Sequence, residues 1–101
     1  MNTFVAMSRF AVANDKLEDV KEAFRNRPRP VDEAKGFVKM DVISPLQAPE
    51  EIWLITWWTD RESYVRWHRS TEHKLSHELI PKGLKLDPER TEITFFEHTT
   101  D

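Results

Sequence analysis

Apolar residues recur along this chain in two alternating periods. Over residues 3–13 the period is two. Phe4, Ala6, Ser8 and Phe10 fall on one face and Val5, Met7, Arg9 and Ala11 on the other, which predicts a strand. Asn14-Asp15 then reads as a turn and helix start, with Asp15 near the positive end of the helix. Leu17, Val20 and Phe24 follow at helical spacing, so residues 15–26 form a helix with one apolar stripe, stopped by Pro28 and Pro30. Lys35-Gly36 breaks the chain before a second strand over residues 37–43, and residues 45–49 form a loop. Residues 52–58 are nearly all apolar with little alternation, the pattern of a strand buried on both faces.

Thr59, with Glu62 three residues on, reads as a capping box that opens a helix over residues 60–69. Tyr64, Trp67 and His68 share one side of it. Ser70 or Thr71 caps a further short helix to about residue 80, ended by Pro81. Residues 81–89 form a loop and 91–98 the last strand. The order β-α-β-β-α-β is the split ferredoxin-like arrangement, an α+β fold with a four-stranded antiparallel sheet and its helices on one face. The other sheet face, with Val5 and Met7, has nothing from the same chain to cover it. A homodimer packed sheet on sheet is the economical cover.

Composition narrows the function classes. The 101 residues argue for one domain, 1–101, able to bury roughly two-thirds of its unfolded surface. Charged residues make up 33% and apolar residues 39%, and no apolar run approaches the ~18 residues of a membrane helix. Met1-Asn2-Thr3-Phe4 shows no basic region followed by an apolar stretch, so no signal peptide is expected. The absence of cysteine excludes disulfides, thiol catalysis and cysteine-bound metals, and fits a reducing cytoplasm. A net charge of −3, with both signs mixed along the chain, argues against a nucleic-acid partner. The basic cluster Arg25-Asn26-Arg27-Pro28-Arg29 reads first as a helix end complementing the dipole, and second as an anion contact.

Candidate chemistry concentrates in residues 56–77, where indoles, Tyr64 and three histidines crowd together. Such a cluster suits a flat ligand; alternatively, the same side chains simply fill a core. Trp58 reads as core, whereas Trp53 and Trp57 share a strand face and suit the interior of a dimer. Ser8 lies on the face of Ala6 and Phe10, an awkward place for an unbonded hydroxyl, and is a pocket candidate. Phe24 is a candidate pocket floor, and His68 and His98 read as surface groups. His73 and His77 stand at i,i+4 spacing and can share a metal, although no carboxylate at fixed spacing completes a triad.

These pieces together resemble the antibiotic biosynthesis monooxygenase superfamily, whose members are dimeric α+β barrels of ferredoxin-like subunits. The pieces are Ser8-Arg9-Phe10 in the opening strand, Ala23-Phe24-Arg25-Asn26-Arg27 at the end of the first helix, Gly36-Phe37, the step Thr56-x-Trp58-x-Asp60, and Trp67 followed ten residues later by His77. The last pair resembles the IsdG-type haem-degrading branch. That resemblance implies His77 as the haem-iron ligand, Trp67 and Phe24 against the porphyrin, and Arg27 beside a propionate. Ser8 stands where that branch carries an asparagine near the distal side, and His73 where it carries an apolar residue. The implied activity is oxidative haem cleavage with dioxygen and an external electron donor, with Ser8, Trp67 and His77 as catalytic residues. Two other implications stand beside it. One is a cofactor-free monooxygenase of polycyclic phenols with His77 or His73 as general base. The other is a haem or small-molecule binding module without catalysis.

Overall fold

The computed structural model describes residues 4–26, 30–70 and 83–100. The elements follow the expected order: β1 (Phe4–Ala11), α1 (Leu17–Arg25), β2 (Phe37–Ile43), β3 (Glu51–Trp58), α2 (Arg61–His68) and β4 (Glu92–Glu97). The strands form one antiparallel sheet in the order β2-β3-β1-β4, the ferredoxin-like α+β fold. The most apolar strands, β1 and β3, take the centre. Their register sets Phe4 opposite Trp58, Ser8 opposite Leu54 and Phe10 opposite Ile52. Paired residues share a face, so Phe4, Ala6, Ser8 and Phe10 lie with Trp58, Thr56, Leu54 and Ile52 on the helix-facing side.

The apolar stripe of α1 seats on this side. Val20 is buried with Val12 and Ile52, and Leu17, Phe24, Phe10 and Leu54 pack around them. The helix starts at Leu17, two residues after the expected start. Asn14 is occupied otherwise: its Oδ1 accepts from the Lys16 backbone N–H at 3.3 Å and its Nδ2 donates to the Gly83 carbonyl at 2.8 Å. The turn is thereby tied to the segment leading into β4. Residues 83–87, expected as plain loop, run antiparallel beside the end of β1. The Ala13 N–H donates to Lys85 O at 2.8 Å and the Asp87 N–H to Ala11 O at 2.9 Å.

The cap of α2 also differs from expectation. Asp60, not Thr59, is the N-cap: its backbone is extended and its Oδ1 accepts from the Ser63 N–H at 2.8 Å. Thr59 instead donates its N–H to the Gly36 carbonyl at 2.8 Å. The Ser63 backbone N–H, and after it the Ser63 side chain, hold the Asp60 carboxyl below its ordinary value of 3.8. A lowered folded-state value means that this contribution is complete above the ordinary value and is lost as pH falls through the lowered one. Asp60→Asn keeps an accepting cap that does not titrate. The wild type is therefore expected to lose thermal stability faster than Asp60→Asn below about pH 4. Paired melts between about pH 2 and 5 check this, and a gap that is constant over that window would refute it.

On the opposite face, two expectations are corrected. β3 is not buried on both sides: Ile52 and Trp58 are fully buried beneath the helices, whereas Trp53, Ile55 and Trp57 on the open face are half-buried. Val5, expected bare, is buried between its register partners Trp57 and Phe96. The two open-face indoles each carry a cation. The Arg9 guanidinium sits 5.3 Å from the Trp53 ring and the Lys39 ammonium 4.2 Å from the Trp57 ring. Arg9 also pairs with Glu92, and Arg90 bridges Glu50 and Glu51 at 2.6 and 2.8 Å.

Candidate functional site

The two helices are anchored at opposite ends of the same sheet face. At one end Phe10 meets Phe24 of α1, with ring centroids 6.4 Å apart. At the other, Tyr64 of α2 meets Phe4 at 5.6 Å and Trp58 edge-on at 5.8 Å. Between these anchors β1 presents two small side chains, Ala6 and Ser8. Ala6 is buried and Ser8 half-buried there.

Leu54 flanks Ser8 from β3, and Ile93 flanks it from β4. Phe95 lies beside Ala6. Its ring stacks on Phe4 at 5.6 Å and 29° and meets Tyr64 edge-on at 5.5 Å. Ile93 and Phe95 therefore belong to the helix-facing side, yet they are 52% and 50% exposed. This side holds two hydroxyls from the central strands. That of Thr56 is engaged: it accepts from Trp58 Nε1 at 2.8 Å and donates to the Ala6 carbonyl at 3.4 Å. Ser8 is half-buried among apolar neighbours. The arrangement is an apolar platform with a hydroxyl at its middle and aromatic rings at both ends.

Of the candidate residues, the structure brings Ser8 and Phe24 to one face, linked through Phe10. Trp67 lies three residues beyond Tyr64 on α2 and is half-buried, with its carbonyl accepting from Ser70 Oγ at 2.6 Å. Arg27, His73 and His77 lie outside the described residues, as does the second short helix. His68 is exposed, the surface group expected, and its ring stacks on Tyr64 at 5.6 Å and 25°. Burial among these rings pushes the Tyr64 hydroxyl above its ordinary value. Among the described residues no group of three His, Cys, Asp or Glu stands together as a metal cluster, and no helix is long and apolar enough to cross a membrane.

Two surface hollows accompany the platform. One, of about 380 Å³, runs between α1 and β2 and is lined by Phe24, Lys21, Met40 and Val42 among others. The other, of about 450 Å³, lies on α2 beside Arg61, Glu62, Val65, Arg66 and Arg69. The larger hollow contains none of the candidate residues. The smaller one reaches the candidate residues through Phe24.

Sequence reading left Ile93 and Phe95 unassigned. Their signal was present in the alternation of Glu92-Ile93-Thr94-Phe95-Phe96-Glu97, but alternation does not say which face meets the helices.

The fold defines a class: a two-layer α+β protein with half-exposed apolar side chains of β4 on the helix-facing side of its sheet. A family model for antibiotic biosynthesis monooxygenases matches residues 3–79, and the chain belongs to that family, whose members are monooxygenases. Solved structures agree on the fold. SnoaB, a cofactor-independent oxygenase from Streptomyces nogalater, is 15% identical with a TM-score of 0.77, over 100% of this chain and 97% of its own. The heme-degrader MhuD from Mycobacterium tuberculosis, solved with two hemes in its active site, is 19% identical with a TM-score of 0.73, over 97% of both chains. A conserved protein from Methanosarcina mazei Go1 is 19% identical with a TM-score of 0.77, over 98% of this chain and 95% of its own. No curated protein matches the sequence.

Proposed function

We propose that this protein is a haem-binding monooxygenase that cleaves haem with dioxygen and an external electron donor, working as a homodimer of one-domain subunits. The observation that carries this reading is the apolar strip formed by half-exposed Ile93 and Phe95 beside half-buried Ser8 and Leu54 on the helix-facing side of the sheet. A porphyrin is flat and apolar on both faces, with its charge at one edge. It fits an apolar floor with aromatic end walls better than it fits a polar cleft. The likeness of the fold to MhuD supports the choice of haem.

In this reading the neutral His77 imidazole would hold the haem iron, Trp67 and Phe24 would wall the ring, and Arg27 would pair with a propionate. Bound haem supplies dioxygen activation at its own iron. The chain's residues do the rest. Apolar side chains exclude water from the ring faces, and Ser8 contributes one hydroxyl able both to donate and to accept. Titration with hemin is expected to give a shifted Soret band that decays when a reductant is added in air. His77→Ala is expected to abolish the ordered haem spectrum, and His73→Ala only to weaken binding. No Soret shift with the wild type would refute the reading; a band that survives reductant would leave a binding module without catalysis.

Ser8 favours a second reading. A serine reaches less far than the asparagine of the haem-degrading branch, and the platform accepts a polycyclic phenol equally well. His77 or His73 then serves as general base and no cofactor is needed, as in SnoaB. Oxygen uptake with a polycyclic phenol and a chelator, without hemin, is the result that selects it.

The dimer follows from the open sheet face. Met7, Trp53, Ile55, Trp57 and Phe96 make an apolar surface there, edged by Arg9 and Lys39. A second copy packed sheet on sheet covers it. Light scattering is expected to report twice the 12.0 kDa chain mass. The chain mass alone at all micromolar concentrations would refute the dimer.

A further inference from the structure

The six described arginines divide into two groups. Arg9, Arg25 and Arg90 each pair with a glutamate, whereas Arg61, Arg66 and Arg69 form no ion pair among the described residues. The unpaired three are all exposed, and all belong to α2 or its C-cap. Counted at 3.6 residues per turn, Arg61, Glu62, Val65, Arg66 and Arg69 fall within an arc of about 140°. Ser63, Tyr64 and Trp67 take the other side, where Tyr64 packs on the Phe4, Trp58 and Phe95 rings of the sheet. The arginines therefore face away from the sheet, around the hollow of about 450 Å³. Half-buried Val65 stands in that lining four residues from both Arg61 and Arg69. Glu62 is the one acid there, so the patch is net positive on a chain whose net charge is −3.

We propose that this arginine face of α2 is the docking surface for the external electron donor, and that the donor is a protein presenting carboxylates around an apolar side chain. This rests on the functional reading above and names the chemistry of its redox partner. Guanidinium forks grip carboxylates through paired hydrogen bonds and are weakly hydrated, which suits them to interfaces. Val65 offers the apolar contact among them. One electron leaves the reduced donor as ferric haem iron becomes ferrous. A helix is about 10–12 Å across with its side chains, so a donor seated here is one helix thickness from the Tyr64 and Trp67 side. A second copy of the chain is not the occupant, because the apolar surface assigned to it lies on the sheet face away from both helices. Nucleic acid is not the occupant either, since the chain as a whole is acidic.

The test uses the full chain, isotope-labelled at nitrogen and free of hemin. The probe is a plant-type two-iron ferredoxin, an acidic one-electron carrier. Cytochrome c, a basic carrier, and inorganic pyrophosphate are the controls. Ferredoxin is expected to shift or broaden the backbone amide signals of residues 61–69 saturably, and cytochrome c to leave them in place. Raising the ionic strength from about 0.02 to about 0.2 M is expected to weaken binding about tenfold or more. Arg66→Glu combined with Arg69→Glu is expected to weaken it by about the same factor at low salt. Arg66→Lys combined with Arg69→Lys is expected to fall between that variant and wild type, which separates lost charge from lost folding. In hemin-loaded protein the double reversal is expected to slow reduction by ferredoxin and to leave reduction by dithionite unchanged. Unmoved amides at residues 61–69, unchanged affinity in the folded double reversal, or equal shifts with pyrophosphate would each overturn the proposal. Ferredoxin bound at α2 without a Soret band for hemin would leave the acidic-partner surface standing while the haem reading falls. A Soret band that decays with reductant, without ferredoxin contact at α2, would overturn this surface alone.

Discussion

Trp58→Ala is expected to lower the melting temperature by more than about 12 °C, the effect of roughly 3 kcal/mol on a domain near 100 residues. Trp58 is 0% exposed and is the largest fully buried side chain of the core. Its Nε1 donates to the Thr56 hydroxyl at 2.8 Å, and its ring meets Phe37 at 5.4 Å and Tyr64 at 5.8 Å, both edge-on. Removing such a side chain costs about 3–5 kcal/mol, because transfer energy is lost and the cavity only partly collapses. Total stabilities of about 5–15 kcal/mol leave little margin for that. Trp58→Phe keeps most of the apolar contact and loses the N–H, so a smaller drop is expected. Thermal melts followed by circular dichroism decide the matter; an alanine variant melting within a few degrees of wild type would refute it. The loss also reaches the site, since Trp58 is the floor on which Tyr64 and the rest of α2 stand.

Gly36→Ala is the second large effect, and it acts on the same helix. Gly36 has φ +84, a conformation that L side chains rarely adopt. A Cβ there would come within 2.1 Å of Ser63 Oγ, 2.4 Å of Ser63 Cβ and 2.9 Å of Thr59 Oγ1. Ser63 is itself buried in the first turn of α2, and the Gly36 carbonyl accepts from the Thr59 N–H. Alanine therefore forces either the turn before β2 or the start of α2 to move. The left-handed backbone costs about 1–2 kcal/mol and overpacking about 1–3 kcal/mol more. Any folded fraction is expected to bind hemin more weakly than wild type, because α2 carries Trp67 and the Tyr64 end of the platform. Gly36→Ala with paired Ser63→Gly relieves the contact and is expected to recover part of the stability. Denaturant midpoints for the three proteins check the ordering, and a Gly36→Ala midpoint equal to wild type would refute the close packing.

The positions of two candidate residues, Ser8 and Phe24, were legible in the sequence. Ser8 could be placed on the face of Phe10 by counting in twos, and Phe24 on the apolar stripe of α1 by counting in helical turns. The link between them, the Phe10–Phe24 contact, joins two elements that each announce their own buried side. The resemblance of Gly36-Phe37 and Thr56-x-Trp58-x-Asp60 to a monooxygenase family was carried by short motifs, and the family match confirmed it. Ile93 and Phe95 were not legible as site residues, because the pattern of β4 is equally consistent with either face toward the helices.

What the sequence determined by itself is the set of elements and their order. Period-two and period-3.6 patterns are local, so the extent of β2, the stripe of α1 and the β-α-β-β-α-β order could be read over a few residues at a time. Tertiary structure decided everything that depends on register between distant strands. It set Ser8 beside Ile93, 85 positions away in the chain, and turned Phe95 toward Tyr64. It exposed the Trp53–Trp57 side of a strand whose composition suggested burial on both faces. It also gave the cap of α2 to Asp60, whose carboxylate accepts from the Ser63 N–H, while the Thr59 N–H is taken by Gly36. The physical reason is common to all of these. A local pattern says that a residue must be covered or bonded, but the partner that satisfies it is chosen only when the strands pair and the helices land.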